Sequence, residues 1–284
     1  MGKVAIVTDS TSYIPRDILK RYNITMLPQI LIWGQQTYED GVDIQPDEFY
    51  RRLAVEKTMP STSQVAVPTF QKAFSDLLDQ GYDVLAILVS SKLSGTLQSA
   101  MNAREALPKG KDRVQVFDSV STAMAMGFQA LTAARAAADG ASLDDCRTLA
   151  EQASKHTGVY FVVDTLEFLH RGGRIGGAQR FLGTALNLKP ILAVQDGKVE
   201  PIERIRTKGK AMDRLVEIIT EQCGGKVPIR LATLHANAPE DAQDVINRAS
   251  EVLNVTEKIF TEVSPVVGAH TGPGTVGLAY MAGM

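Results

Sequence analysis

The sequence predicts an α/β protein of two domains, the first built on a parallel β-sheet and the second containing antiparallel strand pairs. The length of 284 residues is more than one domain usually has and less than three would need. In the first half, short β-branched runs alternate with helical stretches, which is typical of a parallel sheet covered by helices. After His156 a hairpin signal appears, so antiparallel pairing begins there.

In the first half, the predicted strands are apolar, β-branched runs that end at turn residues. They cover residues 3–8, 24–33, 84–89 and 114–117. The run 84–89 is apolar almost throughout, which indicates a central strand covered on both faces. The helices are indicated by apolar residues at helical spacing, by prolines at first turns and by N-caps. They lie after Pro15, at residues 47–53, from Thr69 to Gly81, at residues 121–138 and after Ser142.

In the second half, residues 191–194 and 199–205 flank Asp196-Gly197, a strong signal for a two-residue hairpin. Further helices are predicted at residues 210–222 and 240–253, and further strands at residues 229–234 and 255–262. The domain boundary is placed where the pattern changes. It gives an N-terminal domain of residues 1–157 and a C-terminal domain of residues 158–284.

The composition argues against several classes of protein. Lys and Arg number 30 against 32 Asp and Glu, a net charge of -2, so no broad positive field is available to bind nucleic acid. No apolar stretch approaches the roughly 20 residues that cross a bilayer, and the N-terminus lacks a signal-peptide core. The two cysteines, Cys146 and Cys223, sit in helix-like segments. We therefore expect a reduced, cytoplasmic protein that makes only transient contact with a membrane.

Four segments are rich in hydroxyl side chains. Residues 8–12, 90–96 and 118–121 each follow a predicted strand, and residues 59–64 precede a helix. Ligands of doubly wound sheets bind beyond the carboxyl ends of strands, where N–H groups of the next helix point outward. The segment 59–64 alone is better explained as a loop with a helix cap. Together the four segments predict a hydroxyl-lined anion site at one edge of the sheet.

The usual phosphate-binding and catalytic motifs are missing. Neither a P-loop nor a dinucleotide fingerprint is present. Residues 169–177 are rich in glycine, but a tight interdomain turn whose arginines are capped by carbonyls explains them. His270 could face a cleft, although a lone histidine is more often structural. Without a nucleophile elbow or a paired His or Cys motif, neither a metal nor another cofactor is expected.

Six segments, taken in order, resemble the DegV family of bacterial lipid-binding proteins. They are TDSTS (8–12), PSTSQ (60–64), SSKLSGT (90–96), FDS (117–119), RGGRI (171–175) and GAHTGPG (268–274). Each motif is weak by itself. Because all six occur in the family's order and span almost the whole chain, the sequence is identified as a member of that family.

The resemblance implies an N-terminal three-layer α/β/α domain with a parallel sheet and a C-terminal two-layer α/β domain with a mixed sheet. It further implies that an interdomain tunnel holds one long-chain fatty acid. The residues that would bind the carboxylate are Thr62, Ser94, His270, Ser61 and Gly95, with the hydroxyls of Thr62 and Ser94 in direct contact and His270 in the same polar network. Ser61 stands where threonine is more usual in the family, but a hydroxyl remains.

Members of the family whose pathway is known present the fatty acid to a separate ATP-dependent kinase. The resemblance therefore implies a carrier that is not an enzyme and needs no cofactor besides the bound lipid. A basic cluster that includes Arg204 and Arg206 is either a solvated face or a docking surface for that kinase.

Two other functions stay open at this stage. A hydrolase or phosphotransferase acting on a small anionic substrate in the interdomain cleft would need Ser94 or Ser119 beside His270, and the sequence does not bring these residues together. A DNA-binding regulator would need a basic recognition helix, which is not seen.

Overall fold

The computed structural model describes residues 3–182 and 188–284. In these ranges the strands are β1 (Lys3–Asp9), β2 (Thr25–Leu27), β3 (Ile30–Trp33), β4 (Gln36–Glu39), β5 (Ser61–Ser63), β6 (Tyr82–Leu88), β7 (Val114–Asp118), β8 (Thr157–Val162), β9 (Lys189–Gln195), β10 (Lys198–Ile205), β11 (Ile229–His235), β12 (Val255–Ile259) and β13 (Val276–Ala282). The helices are α1 (Arg16–Arg21), α2 (Pro46–Leu53), α3 (Val67–Asp79), α4 (Thr96–Glu105), α5 (Ala123–Ala138), α6 (Leu143–Ser154), α7 (Glu167–Arg171), α8 (Lys208–Cys223), α9 (Pro239–Val252) and α10 (Pro265–Thr271).

The first sheet is parallel, with strand order β2-β1-β6-β7. Side chains alternate between the two faces of a strand, and β6 is buried on both. Val84, Ala86 and Leu88 pack with α3 and α4, whereas Leu85 and Ile87 pack in the core on the side of α5 and α6. Helices on both faces make this half the three-layer α/β/α unit that the sequence analysis predicts.

The second sheet is mixed, with strand order β10-β9-β8-β13-β11-β12, and only β11 and β12 pair in parallel. On one face, Tyr160 and Val162 of β8 pack in a core with α8 and α9. The Asp196-Gly197 hairpin joins β9 to β10 as expected. This half is the predicted two-layer unit.

The helix α5 lies between the two sheets and contacts strands of both. Val159 and Phe161 of β8 share one continuous core with the α5 side of the parallel sheet. The many alanines of α5 allow this close approach. A Cβ on Gly127 of α5 would lie only 2.6 Å from the carbonyl oxygen of Ser12, so a larger side chain has no room there. The division between residues 157 and 158 stays a prediction; it falls at the start of β8.

A third sheet is antiparallel and has three strands in the order β4-β3-β5. Because of this sheet, two of the expectations from the sequence are wrong. The single strand predicted at residues 24–33 is divided at Pro28, so that β2 joins the parallel sheet and β3 joins this one. Proline has no N–H to donate to a ladder, which ends the pairing there. The segment 59–64 is not simply a loop, because Thr62 pairs with Leu31 of β3.

In the described ranges, no helix combines the length and the apolar character needed to cross a membrane.

Candidate functional site

A cavity lies between the two sheets, beyond the carboxyl ends of β1 and β6. It holds about 840 Å³ of atom-free space, part of which is open solvent. Both halves of the chain supply apolar wall residues, including Val89, Leu93, Ala123, Val159, Phe161, Leu234, Val266 and Val267. Such a wall can cover the apolar part of an amphiphile.

Three of the residues expected to bind a carboxylate line this cavity: Thr62, Ser94 and His270. The Thr62 Oγ1 atom lies 2.8 Å from Nε2 of His270. Ser94 Oγ lies 2.9 Å from Oγ1 of Thr96, at the start of α4. The cavity therefore brings together hydroxyls from β5 and from the loop after β6 with an imidazole from the C-terminal end of α10.

His270 is a neutral imidazole at pH 7. Burial and, second, the positive charge of Arg174 lower the pKa of His270 to about 4. Its Nδ1 is buried and has no hydrogen-bond partner in the described chain. Nδ1 packs directly on Gly172, where any Cβ would overlap it. When Nε2 carries the proton it donates to Thr62 Oγ1, which leaves the hydroxyl hydrogen of Thr62 available to a ligand.

Arg174 is half-buried and also lines the cavity. Its Nε donates to the carbonyl oxygen of Leu93 at 3.1 Å and its Nη1 to that of Gly172 at 2.8 Å. In the described part of the chain, no carboxylate forms a salt bridge with it. The expectation that carbonyls cap the arginines of this turn is correct for Arg174, but the sequence analysis missed its place in the cavity wall. Its charge favours an anion in the cavity.

Ser61 and Gly95 are not among the residues that line the cavity. Ser61 is exposed at the start of β5. Gly95 is the N-cap of α4, and a Cβ there would lie 3.1 Å from Cδ of Gln64, a cavity residue. Gly95 therefore lies behind the side chain of Gln64, which itself lines the cavity.

The serines that an enzyme would need have other partners. Ser119 Oγ donates to the carbonyl oxygen of Ser121 and accepts from its N–H, inside a turn outside the cavity. Ser94 shares the cavity with His270, but the imidazole Nε2 is hydrogen-bonded to Thr62. Neither serine has a hydrogen bond to His270 in the residues described.

Asp9 organises the loops around the cavity. Its buried carboxylate accepts hydrogen bonds from the N–H and hydroxyl of Thr11, the amide of Gln29 and the N–H of Val89. Burial raises the pKa of Asp9, while these hydrogen bonds act in the opposite direction. Thr11, Gln29 and Val89 all line the cavity, so one carboxylate holds three parts of its wall. The hydroxyl-rich segment 8–12 is thus partly structural.

The basic cluster predicted after the hairpin lies at the junction of β10 and α8. The guanidinium of Arg204 stands 4.3 Å from the centre of the Phe181 ring and donates to the carbonyl oxygen of Arg180. Lys208 forms an ion pair with Asp241 at 2.6 Å. Arg206 is exposed, and no ion pair involves it in the ranges described. Arg206 is therefore better placed to meet a partner than Arg204 or Lys208.

Comparison with known proteins places this geometry in a family. A curated DegV domain-containing protein of Streptomyces coelicolor is 38% identical over 278 residues, which are 97% of each chain. A DegV family protein of Thermus thermophilus, whose solved structure is described as fatty-acid binding, has a TM-score of 0.92 and 34% identity over 99% of both chains. The fatty-acid-binding DegV of Bacillus subtilis has a TM-score of 0.89 and 33% identity, covering 99% of this chain and 100% of its own. The model of the DegV family of uncharacterised proteins matches residues 3–283, and the chain therefore belongs to the DegV family.

Proposed function

We propose that this protein binds one long-chain fatty acid in the cavity, with the tail between the two sheets and the carboxylate at Thr62, Ser94 and His270. The observation that carries the proposal is a largely apolar cavity whose wall includes the Thr62–His270 pair and the guanidinium of Arg174, which forms no salt bridge in the described residues. The fatty-acid-binding relatives from Thermus thermophilus and Bacillus subtilis support the choice of ligand.

The tail supplies most of the affinity in this proposal. Burying about 14 methylenes at roughly 0.8 kcal/mol each contributes on the order of 11 kcal/mol before the costs of association. The head group mainly sets the orientation, because a carboxylate loses several kcal/mol on leaving water without donors. Hydrogen bonds to a charged group return roughly 1.5–3 kcal/mol each.

The hydrogen-bond donors proposed for the carboxylate are also compatible with a carrier role. The hydroxyls hydrogen-bond the carboxylate without neutralising it, and Nε and Nη1 of Arg174 donate to the carbonyl oxygens of Leu93 and Gly172 rather than clamp the ligand. The carboxylate therefore keeps nucleophilic character towards a phosphoryl donor. We infer that the protein presents this carboxylate to a separate ATP-dependent kinase in the cytoplasm and performs no chemistry itself. The two buried, free cysteines are consistent with a reducing compartment. Contact with a membrane would be limited to lipid transfer.

The head-group assignment is tested with Thr62→Val, which keeps the shape of the side chain, and with Ser94→Ala. Each should weaken fatty-acid binding by roughly 1–3 kcal/mol. The double variant should lose less than the sum, because both donors serve one anion. A fatty alcohol of equal length is the matched control ligand, since it brings no charge. Wild-type fatty-acid affinity in both variants would contradict the assignment of the site.

Lipid content tests the function itself. Protein isolated under mild conditions should release one fatty acid per chain on denaturing extraction. A protein that arrives without lipid and takes up no added fatty acid would contradict the carrier proposal.

The kinase step is tested by charge reversal. Arg206→Glu should slow association with the kinase and reduce the salt dependence of the rate, while lipid content stays unchanged. Lys155→Glu, at the exposed end of α6, is the matched control.

The protein alone should neither hydrolyse ATP nor cleave acyl esters. Turnover that persists in highly purified protein and disappears in Ser94→Ala would favour the enzyme alternative.

A further inference from the structure

Ser94 belongs to a turn of residues 90–94 that precedes α4, so its backbone lies outside the helix. The N–H groups of Leu93 and Ser94 donate to the carbonyl oxygen of Ser90, at 2.9 and 3.1 Å. The Ser90 hydroxyl accepts a further hydrogen bond from the N–H of Lys92 at 3.2 Å. Ser90, which is only 1% exposed, therefore fixes the backbone of the 90–94 turn.

The same hydroxyl connects the 90–94 turn to the C-terminal half of the chain. Ser90 Oγ donates to the carbonyl oxygen of Gly197 at 2.9 Å in the interior. A Cβ on Gly197 would overlap Ser90 Oγ, so only glycine allows this close approach. On the surface, Lys92 Nζ donates to the carbonyl oxygen of Asp196 at 2.7 Å. The tip of the β9–β10 hairpin is therefore held against the turn from both the buried and the exposed side.

The hairpin and the 90–94 turn also share the cavity wall. Val194 and Val199 form the second cross-strand pair from the hairpin tip, and both line the cavity. Leu93 and Ser94 of the turn line it as well. A displacement of the hairpin tip would therefore move the turn, and with it the Ser94 hydroxyl relative to the other head-group residues.

We propose that Ser90 is a positioning residue for the head-group site. Its hydrogen bond to Gly197 lets the hairpin hold the turn in the place where the Ser94 hydroxyl meets the carboxylate. This inference rests on the proposed fatty-acid function. Because coupling between two sites is reciprocal, a carboxylate bound at Ser94 should in turn hold the hairpin tip against the turn, and a ligand without that charge should do so less.

A double-mutant cycle tests whether Ser90 acts through Ser94. Dissociation constants of the full, delipidated chain for a saturated fatty acid are measured in Ser90→Ala, in Ser94→Ala and in the double variant. Ser90→Ala should weaken binding about tenfold, as for loss of one hydrogen bond to a charged group. When residue 94 is already alanine, the same change should weaken binding less than about twofold. An equal loss in both backgrounds would overturn the proposal, since a merely structural role does not depend on the Ser94 hydroxyl.

Two controls accompany the cycle. A fatty alcohol of equal length should bind Ser90→Ala within about threefold of the wild type, because it brings no charge for Ser94 to stabilise. Ser119→Ala is the matched variant: Ser119 is also a buried serine after a strand of the parallel sheet, but its hydroxyl bonds only within its own turn, to Ser121. Fatty-acid affinity in Ser119→Ala should stay at the wild-type value. A loss as large as that of Ser90→Ala would contradict a specific role for the hairpin contact.

Hydrogen exchange in the wild-type protein provides a test that needs no variant to fold. Saturating fatty acid should slow exchange of the N–H groups of residues 92–94 at least about threefold more than the alcohol of equal length does. Equal protection by the two ligands would overturn the proposal. Unchanged fatty-acid affinity in Ser94→Ala would overturn the proposed head-group site together with this inference, whereas a loss in Ser94→Ala that Ser90→Ala does not share would overturn this inference alone.

Discussion

The Thr62 hydroxyl oxygen lies 2.8 Å from Nε2 of His270, although 208 positions separate the two residues in the chain. Thr62 is presented by β5, which exists only because Ser61–Ser63 pairs with β3. His270 is presented by α10, in whose first turn the Val266 N–H donates a hydrogen bond to the carboxylate of Asp40. Two short elements, each fixed by residues distant in sequence, therefore bring this hydrogen-bonded pair into the wall of the cavity.

Gly172→Ala should disable His270 without touching Thr62 or Ser94. The added methyl group would overlap Nδ1 of His270, so the ring must move and its bond to Thr62 is lost. We expect fatty-acid affinity to fall by about tenfold, as for loss of one hydrogen bond to a charged group. Gly209→Ala in α8 is the matched control, since nothing lies within 4 Å of its Cβ position. Calorimetric titration measures both, and equal affinities would show that the position of His270 is irrelevant to binding.

Arg174→Gln should raise the pKa of His270, because the charge of Arg174 is the second cause of its lowered value, after burial. The pKa should stay below 6.5, since burial remains. Fatty-acid affinity should also fall, and more steeply at low salt, because a positive charge beside the carboxylate is removed. Arg171→Gln is the control, as Arg171 is exposed and paired with Glu167. Imidazole NMR signals followed against pH report the change; an unaltered His270 titration would contradict this electrostatic link.

The pH dependence of stability should show two opposing contributions. The pKa of Asp40 is raised to about 6, mainly by burial. The folded state therefore holds this proton more tightly than the unfolded chain, and stability on the order of 3 kcal/mol is lost as pH rises from about 4 through about 6. His270, with its pKa lowered to about 4, behaves oppositely: its contribution is complete above about 6.5 and is lost as pH falls towards 4.

Single variants separate these contributions. Asp40→Asn should gain stability relative to the wild type as pH rises from 4 to 7, whereas His270→Gln should gain as pH falls over the same range. Urea unfolding at several pH values measures both differences. Differences that do not change with pH, or that change with the same sign in both variants, would contradict the opposing contributions.

Much of the fold is predictable because its main elements carry local signals. The run 84–89 is apolar on both faces, the alanine-rich segment 121–138 is a buried helix, and Ser142 forms a capping box with Asp145. What sequence reasoning did not predict depends on distant contacts. β5 consists of Ser and Thr and is a strand only through β3, and α10 has seven residues in a glycine-rich region, too few to show helical periodicity.

The candidate site, like the fold, was predictable only in part. From the residues alone, only a hydroxyl-lined anion site was predictable, and Thr62, Ser94 and His270 were singled out by the family resemblance. Arg174 was not, because an arginine after two glycines has the local pattern of a tight turn in which carbonyls cap the side chain.

Asp9→Ala tests whether one buried carboxylate holds the cavity wall together. The change leaves the N–H groups of Thr11 and Val89 and the amide of Gln29 without their acceptor. Each unsatisfied buried group costs roughly 1–3 kcal/mol, so unfolding free energy should fall by at least about 3 kcal/mol. Asp118→Ala is the comparison, because Asp118 follows β7 in the same way but accepts from the exposed N–H groups of Ser91 and Val120; it should cost about 1 kcal/mol or less.

Asp9→Asn refines the test. It keeps one acceptor oxygen and removes the buried charge, so its cost should lie between those of the other two variants. Because Thr11, Gln29 and Val89 line the cavity, Asp9→Ala should also release bound fatty acid at denaturant concentrations below those that unfold the rest of the chain. Lipid-release and circular-dichroism transitions followed in one urea titration report both effects. Coincident transitions together with a loss of stability no larger than that of Asp118→Ala would mean that the wall is held by packing rather than by this carboxylate.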